Sequence, residues 1–499
     1  MSNDPSVPTC EQSQATFTTR RVAYGALAVG FSGLLKGALQ LVVLPVVARL
    51  LGPEEFGLYA LALPTIAFLQ MLADSGLAVS LAREADSSED VWSTAFWAVC
   101  GLCTVLAALV SVWSFVLAGL SNEPRLPMVM VVLSGSLFFI GAAILPNARL
   151  MREARLGAVA AADLISNVTG VAVGLALAFG GAGVWSLVAQ YLSVYGVRAL
   201  VLNIASPRRP RLRFRLQSVA PYLGIGSVMM GIRLADFGGR QLENALISRT
   251  LGAPLLGAYS FGNQIARFIC EAVSNPAWTS LYIIALRQDS DEAVQSYYRV
   301  TRVLALLLFP TTLLIAVSAD RLVPIMLGSA WSAAAPTVSI LLPSYAVAVI
   351  GTQSMALLYA YGRSAISFWM SIIVSVARVL AIAAAPVLGL PGAVICIGVI
   401  NVIWGVAGVF LPARLIGVRP MAVVRHLAGP LLCSTVAALL CRTLLSSGHP
   451  DIWGVLASIT VSMAVAGVML VIVDRRRVGE DLIAIRMMVF QGKKFDAPV

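Results

Sequence analysis

Residues Ala48–Ala60 read ARLLGPEEFGLYA and interrupt two long apolar segments. Residues Ser248–Ser260 read SRTLGAPLLGAYS and again lie between two apolar segments. The stretches agree at five equivalent positions: Arg49/Arg249, Leu51/Leu251, Gly52/Gly252, Gly57/Gly257 and Tyr59/Tyr259. This recurrence predicts an internal repeat, and the shared glycines predict a chain reversal between two helices in each copy.

The two glutamates of the first copy do not recur in the second. Glu54 and Glu55 align with Pro254 and Leu255, so the carboxylates belong to one copy only. We interpret them as solvated groups on an outer turn and not as a catalytic pair. The recurring tyrosine is a residue type that is enriched at membrane–water interfaces, and its recurrence predicts an interfacial position in both copies.

The composition around the repeat is that of a membrane protein. Of 499 residues, 59% are hydrophobic and 12% are charged, with a mean hydropathy of +0.87. Soluble domains are about 45–50% apolar and about 25% charged. Apolar windows long enough to cross about 30 Å of hydrocarbon as helices recur along the chain. These windows are continuous and do not alternate, which excludes a β-barrel. We predict an all-α polytopic membrane protein of about fourteen transmembrane helices.

The repeat and the apolar windows together predict the domain organisation. Each copy of the repeat lies between the first and second helices of a six-helix block, and the two blocks are joined by a basic, proline-bearing segment. The predicted parts are a tail (1–19), a six-helix lobe (20–206), a linker (207–216), a second six-helix lobe (217–420), two additional helices (421–474) and a basic tail (475–499). Six helices per lobe place both lobes in the same orientation, as in transporters built from parallel repeats.

The basic residues predict topology. The net charge is +11, and arginines cluster between predicted spans, at Arg149, Arg152 and Arg155 and again at 208–215. This asymmetry follows the positive-inside rule, which places both termini in the cytoplasm of a cell with the chain in its inner membrane. We therefore assign the positive charge to topology and expect no nucleic-acid partner.

Polar and charged side chains also recur inside predicted spans, where burying a charge in a bilayer is costly. On the seventh span, four charged residues share one helical face: Arg233, Asp236, Arg240 and Glu243. Other spans carry Lys36, Gln40, Gln70, Asp74, Asp163, Asn167, Asn263, Arg267, Glu271, Ser375 and Arg378. Because polar stripes follow the first two helices of each lobe, the repeat predicts that they face a central cleft.

These stripes have two interpretations. As a hydrated, partly cationic chamber, they fit a large anionic ligand rich in hydroxyl groups, because arginine presents a planar fork of donors to phosphate oxygens. Alternatively, the charges cancel one another in local pairs along one helix: Arg233 with Asp236, Arg240 with Glu243, and Arg267 with Glu271. The sequence alone leaves both interpretations open.

The patterns of an enzyme are missing from the sequence. His426 and His449 fall at opposite ends of the membrane in the predicted topology, and the chain has no P-loop or GxGxxG pattern. We expect no catalytic residues, no metal site and no cofactor. Cys100 and Cys103 form a CxxC inside an apolar helix, and we interpret them as small residues at a helix contact.

Three segments carry a family pattern: ARLLGPEEFGLYALALP, IRLADFGGRQLENALISRTLGAPLLGAYSFGNQIAR and LGSAWSAAAP, the last at Leu327–Pro336. They resemble the bacterial polysaccharide-transporter family, the Wzx-type flippases of the multidrug/oligosaccharidyl-lipid/polysaccharide superfamily. The resemblance covers roughly residues 20–470 and implies a V-shaped fold of two lobes. It implies export of undecaprenyl-pyrophosphate-linked oligosaccharides for exopolysaccharide, capsule or O-antigen (lipopolysaccharide) assembly. Membrane lipids, a polysaccharide polymerase and a co-polymerase are the implied partners.

The resemblance matches five basic residues to substrate binding: Lys36, Arg233, Arg240, Arg267 and Arg378. From the polar stripes we add Gln40 and Asn263, because amide groups can hydrogen-bond sugar hydroxyls. A carboxylate buried in a span has its pKa raised, so Asp74, Asp236 or Glu271 is predicted to carry a coupled proton. Other functions stay open: a cation-coupled drug exporter of the same fold, a membrane polymerase or ligase of glycans, and a scaffold for a biosynthetic complex.

Overall fold

A computed structural model describes residues 10–73, 89–153, 155–206, 227–287, 290–383, 385–447 and 452–473. Only the backbone is described for 10–31, 227–236, 411–416 and several single residues within the helices. Asp74, the linker 207–216 and the tail 475–499 lie outside the described residues. The side chains of Arg233 and Asp236 are likewise outside the description, so their predicted roles stay predictions.

The described residues are almost entirely helical. The first part of the chain forms α1 (Cys10–Ala73), α2 (Glu89–Ser121), α3 (Leu126–Ser134), α4 (Ser136–Arg152), α5 (Leu156–Phe179) and α6 (Val184–Ala205). The second part begins with α7 (Ser227–Leu251), α8 (Ala253–Arg287), α9 (Ser290–Leu327) and a 3-10 turn (Ser329–Ala334). It continues with α10 (Ala335–Thr352), α11 (Ser354–Ala360), α12 (Ser364–Ala383), α13 (Ala385–Ile416), α14 (Pro420–Ser447) and α15 (Ile452–Val473). Because α1 begins at Cys10, the helix extends into the predicted tail 1–19.

Ten stretches within the described residues are long and apolar enough to cross a membrane, and the protein is a multi-pass membrane protein. Helices α7 and α8 are not among these ten, because they carry the polar stripes that the sequence places on the seventh and eighth spans. On α12, only Trp369–Ala383 is apolar, which is short for a span. The all-α fold class is confirmed, and the count of fourteen spans stays a prediction.

The recurring glycine breaks the helix at a single residue. Gly52 has φ 78° and interrupts α1, and Gly252 has φ 88° between α7 and α8. This left-handed conformation strains any residue with a Cβ atom, which explains glycine at both positions. Two helical segments of α1 therefore meet at Gly52, and the second of them ends at Ala73.

The second shared glycine brings the two copies of the repeat into contact. A Cβ atom on Gly57 would overlap the carbonyl oxygen of Ala253, and one on Gly257 would overlap the carbonyl oxygen of Pro53. In either case, the added atom would lie 3.0 Å from the backbone nitrogen of the other glycine. Only glycine permits this approach, so the repeat motif encodes a reciprocal helix contact as well as a kink.

Aromatic packing seals the same region. Trp331, which belongs to the LGSAWSAAAP segment, is fully buried, with its ring 5.6 Å from Phe56 and 5.2 Å from Phe261. The Asn244 side chain adds a hydrogen bond of 3.1 Å from Nδ2 to the carbonyl oxygen of Ala60. The motif residues thus form a packed core around the glycine contact.

The chain divides into two compact units. Unit 1 contains residues up to Leu51 and Leu61–Leu234, and unit 2 contains Gly52–Ala60 and the residues from Ala235 onwards. The short segment Gly52–Ala60 belongs to unit 2 because it packs against α8 and Trp331, as described above. The predicted lobe boundaries themselves stay a prediction, since the linker 207–216 is not described.

Small residues bring helices together within each unit. In unit 1, Cβ atoms on Gly170 and Gly174 of α5 would collide with Val194 and Gln190 of α6. Cys103 Sγ would lie 3.0 Å from a Cβ atom on Gly141, which confirms the interpretation of the CxxC as a helix contact. In unit 2, α9 packs against α10, α14 and α15, so the two additional helices extend this unit.

Candidate functional site

The carboxylate of Glu243, on α7, is a buried charged group of unit 2. Its side chain is 4% exposed, and Arg378 Nε of α12 lies 3.4 Å from its Oε2 atom. The hydroxyl of Tyr259 on α8 donates a hydrogen bond to its Oε1 atom. Helix α7 approaches α12 closely because Gly239 faces Ser375, where a Cβ atom would lie 3.0 Å from the serine Cβ. Three helices therefore hold one carboxylate.

The network continues from Arg378. Its Nη2 atom donates a hydrogen bond of 2.9 Å to the hydroxyl of Tyr345 on α10, and its guanidinium carbon lies 5.7 Å from the centre of that ring. The Tyr345 hydroxyl in turn donates a bond of 2.9 Å to Asn263 Oδ1 on α8. We name these five residues, Glu243, Tyr259, Asn263, Tyr345 and Arg378, the buried network.

The arrangement of the buried network favours a structural role for Arg378. Its side chain is only 17% exposed and meets a carboxylate, a hydroxyl and an aromatic face. Removing one partner of a buried ion pair typically costs about 3–5 kcal/mol, because the other charge stays buried without compensation. Arg378 therefore positions α7, α10 and α12 relative to one another within unit 2.

Arg267 presents a more open cation than Arg378. Its Nε atom donates a hydrogen bond of 3.0 Å to Glu271 Oε1, one turn later on α8, and the two side chains are 33% and 43% exposed. The predicted local pair is confirmed here. Glu243 has partners on α8 and α12 that the sequence did not indicate, and its predicted pairing with Arg240 stays a prediction.

The recurring tyrosine does not occupy an interfacial position in the second copy. Tyr259 is fully buried, and its hydroxyl binds Glu243. The interface prediction is therefore wrong for Tyr259, because a buried carboxylate needs hydrogen-bond donors and the tyrosine supplies one. The sequence contained the signal in the recurrence of this tyrosine, but nothing in the sequence named its partner.

Unit 1 contains a second polar cluster, which includes predicted stripe positions. Gln70 Oε1 of α1 accepts hydrogen bonds from the hydroxyls of Tyr191 at 3.2 Å and Tyr195 at 2.9 Å, both on α6. The two rings lie 4.7 Å apart. On the same helix, Arg198 Nε lies 2.6 Å from Asp163 Oδ1 of α5. Tyr191, Tyr195 and Arg198 were missed by the sequence analysis, since α6 carries no charged stripe.

The structure thus places the predicted residues in different settings. Lys36 and Gln40 lie exposed on α1 in unit 1. In unit 2, Asn263 and Arg378 are joined through Tyr345, while Arg267 and Glu271 form their own pair. Among the residues that the structure describes, no group of three or more His, Cys, Asp or Glu side chains could hold a metal ion.

Comparisons with known proteins agree on one family. A family of sequences described as polysaccharide biosynthesis protein matches residues 46–336. The chain is 29% identical over 360 residues to the succinoglycan biosynthesis transport protein ExoT of Rhizobium meliloti (strain 1021), covering 71% of this chain and 73% of ExoT. It is 26% identical over 339 residues to the lipopolysaccharide biosynthesis protein WzxC of Escherichia coli (strain K12), covering 66% and 68%.

Solved structures share the fold. The lipid II flippase MurJ in an inward closed conformation aligns with a TM-score of 0.72 at 13% identity, covering 92% of this chain and 100% of MurJ. An inward-facing multidrug resistance MATE transporter of the MOP superfamily aligns with a TM-score of 0.59 at 15% identity, covering 78% and 96%. At these identities the likeness shows the fold alone. The family match extends over more than half of the chain, and the protein belongs to the polysaccharide biosynthesis protein family.

Proposed function

We propose that this protein is a flippase that moves lipid-linked oligosaccharides across a bacterial inner membrane by alternating access. The cargo is an undecaprenyl-pyrophosphate-linked repeat unit, delivered to the outer leaflet for polysaccharide assembly by a polymerase and co-polymerase. Membership of the polysaccharide biosynthesis family supports the cargo class. The single observation that carries the proposal is a set of arginines within the helices of a fold that a lipid flippase also adopts.

We assign the ligand-binding role to basic side chains that are partly or fully exposed. Arg267 uses Nε for Glu271, so the two terminal nitrogens of its guanidinium group can meet phosphate oxygens. Arg240 is exposed on α7, and Lys36 is exposed on α1. Arg233 stays a candidate from the sequence. Arg378 supports the site by positioning helices, because its partners are already fixed.

We assign glycan contacts to amide and aromatic groups. In unit 1, Tyr191 and Tyr195 place two rings side by side, with their hydroxyls fixed by Gln70. Aromatic faces suit the apolar C–H faces of sugars, and amides suit their hydroxyl groups. Gln40, exposed on α1, and Asn263, in the buried network, are the amides that the sequence analysis singled out.

We assign proton coupling to Glu271, with Asp74 and Asp236 as further candidates from the sequence. The Glu271 side chain is 43% exposed, and its described partner is Arg267. Protonation of Glu271 removes the charge that attracts Arg267. In the proposed cycle, this frees the full guanidinium group of Arg267 for the pyrophosphate. Deprotonation of Glu271 then favours release of the pyrophosphate.

The transport proposal is tested at Arg267 in a strain whose polysaccharide export depends on this protein. Arg267→Ala is expected to reduce export at least tenfold at a normal protein level, with lipid-linked units accumulating in the cytoplasmic leaflet. Arg267→Lys retains a charge but not the fork, and an intermediate level is expected. Arg442→Ala removes an exposed arginine of α14 and serves as the matched control. Full export by Arg267→Ala would overturn the assignment of this residue.

The alternatives are distinguished by what a deletion strain accumulates. Relatives named for polysaccharide biosynthesis and transport favour a glycan transporter over a drug exporter of the same fold. Trapped lipid-linked units on the cytoplasmic side support the flippase. Unpolymerised units on the outer side would instead indicate a polymerase, and normal polymer with altered drug resistance would indicate an exporter.

A further inference from the structure

An ion pair joins α5 and α6 of unit 1 within two stretches that are apolar and long enough to cross a membrane. Arg198 Nε of α6 lies 2.6 Å from Asp163 Oδ1 of α5, and the two side chains are 28% and 31% exposed. Asp163 lies about two helical turns after α5 begins, and Arg198 lies about two turns before α6 ends. Contact between lipid and a charge at this depth is costly, so the exposed parts of the pair face a hydrated surface.

Backbone packing fixes the position of this pair. Gly170 of α5 approaches the side chain of Val194 so closely that a Cβ atom on the glycine would collide with it. Val194 lies one turn before Arg198 on α6, and the two helices run in opposite directions. The contact therefore sets the register that places Arg198 beside Asp163, near the start of α5.

An aromatic face lies next to the ion pair on α6. Tyr191, Tyr195 and Arg198 follow one another at spacings of four and three residues, which puts them on one side of the helix. Tyr195 is half-buried, and its ring centre lies 4.7 Å from that of Tyr191. Both tyrosine hydroxyls donate hydrogen bonds to Gln70 Oε1 of α1, so the orientation of the two rings is fixed.

The polar atoms beside this aromatic face combine donors with an acceptor. Arg198 uses Nε for Asp163, and in the part of the chain that the structure describes neither its two terminal nitrogens nor Asp163 Oδ2 has a hydrogen-bond partner. Asp163 would repel a phosphate, and Arg198 would repel an organic cation. A sugar hydroxyl both donates and accepts, so neighbouring hydroxyls of one ring can bond the carboxylate and the guanidinium group together.

We propose that Asp163, Tyr195 and Arg198 form a binding site for a neutral sugar ring with neighbouring hydroxyl groups. The apolar C–H face of the ring packs on Tyr195, and hydroxyls at its edge bond Asp163 Oδ2 and the terminal nitrogens of Arg198. A few placed polar groups beside an aromatic surface are the usual composition of small-molecule sites. The source of the sugar rests on the proposed function: it is an uncharged residue of the transported oligosaccharide.

Sugar binding is measured by saturation-transfer NMR on the full-length protein in phospholipid nanodiscs, because glycoside detergents would compete for the site. The neutral probes are the methyl glycosides of glucose, galactose and mannose, and the charged probe is methyl glucuronide. The original protein is expected to bind at least one neutral glycoside about tenfold more tightly than the glucuronide. Asp163→Asn keeps an acceptor for Arg198 but leaves a net positive charge, so the glucuronide is expected to become the preferred ligand.

Two further variants examine the aromatic face. Tyr195→Leu removes the ring and is expected to weaken the binding of every probe. Phe115→Leu removes an exposed ring from α2 and is the matched control, expected to bind the probes as the original protein does. Equal binding by Tyr195→Leu and Phe115→Leu would overturn the role of Tyr195 as the sugar platform.

The reversal of preference distinguishes a binding site from a structural ion pair. A pair that only holds α5 and α6 together would not change which sugar is bound, so a reversed preference in Asp163→Asn supports the proposal even where the affinity falls. No binding of a neutral glycoside by the original protein, or an unchanged preference in Asp163→Asn, would overturn it. Arg267→Ala is expected to keep this sugar binding, so failure of the transport proposal gives a different result.

Discussion

The contact between the two repeat glycines supports a quantitative prediction. In Gly57→Ala, the new Cβ atom would overlap the carbonyl oxygen of Ala253 and lie 3.0 Å from its carbonyl carbon. In Gly257→Ala, it would overlap the carbonyl oxygen of Pro53. All of these obstacles are backbone atoms, so no side-chain rotation relieves them. Two helices must move apart, together with the packing of Trp331 against Phe56 and Phe261.

Two contributions of opposite sign determine how much each substitution changes the free energy of unfolding. Overpacking of a tight core typically costs about 1–3 kcal/mol, and backbone obstacles favour the upper end of that range. Alanine in place of glycine inside a helix gains about 0.8–1.0 kcal/mol. Each substitution is therefore expected to destabilise the protein by about 2 kcal/mol. The double variant is expected to lose less stability than the two single variants lose together, because helices already separated by one methyl group have room for the second.

The assay is the thermal unfolding midpoint of the purified protein in detergent. Gly101→Ala in α2 and Gly467→Ala in α15 are matched controls, since a Cβ atom at either position meets nothing within 4 Å. The controls are expected to hold or raise the midpoint, and Gly57→Ala and Gly257→Ala are expected to lower it by several degrees. If all four variants behaved alike, the reciprocal contact between the repeats would be refuted.

Three further predictions concern the polar clusters. Arg378→Ala leaves Glu243 buried without its cation and is expected to destabilise the protein by about 3–5 kcal/mol, which lowers the purified yield and the unfolding midpoint. Adding Glu243→Gln should recover most of this loss. No recovery would contradict the ion pair between Arg378 and Glu243. Tyr345→Phe keeps the ring and removes the hydroxyl bonded by Arg378, so a midpoint loss corresponding to about 1–3 kcal/mol is expected. Gln70→Leu leaves two tyrosine hydroxyls without their acceptor and should lower the midpoint, whereas Arg442→Ala should not.

The sequence predicted the fold class because membrane helices are recognisable by their length and hydropathy. It predicted the repeat motif because five residues recur. The role of the second glycine was not predictable from spacing alone. Gly57 and Gly257 were interpreted as part of a turn, but the structure shows that they permit two backbones to touch. A contact between residues so far apart in sequence depends on how helices assemble, and hydrophobic periodicity within one helix does not record that.

The same limit explains which site residues were predicted. Arg267 and Glu271 are one helical turn apart, so the sequence itself places them together, and the pair is present. Glu243 also has an arginine one turn away, Arg240, but its buried partner is Arg378 on another helix. Sequence spacing identifies polar faces correctly, yet only the packing of α7 against α12 decides which charges meet.

This difference in pairing separates two kinds of embedded charge. A carboxylate that is 4% exposed and held by an arginine and a tyrosine cannot exchange its partners without moving helices. An ion pair with side chains 33% and 43% exposed can exchange its partners for water or a phosphate at little structural cost. A flippase needs both properties, since a rigid unit must carry a site that binds and releases its ligand. The buried network therefore suits a structural role that keeps unit 2 rigid, and the pair of Arg267 and Glu271 suits reversible binding of the ligand.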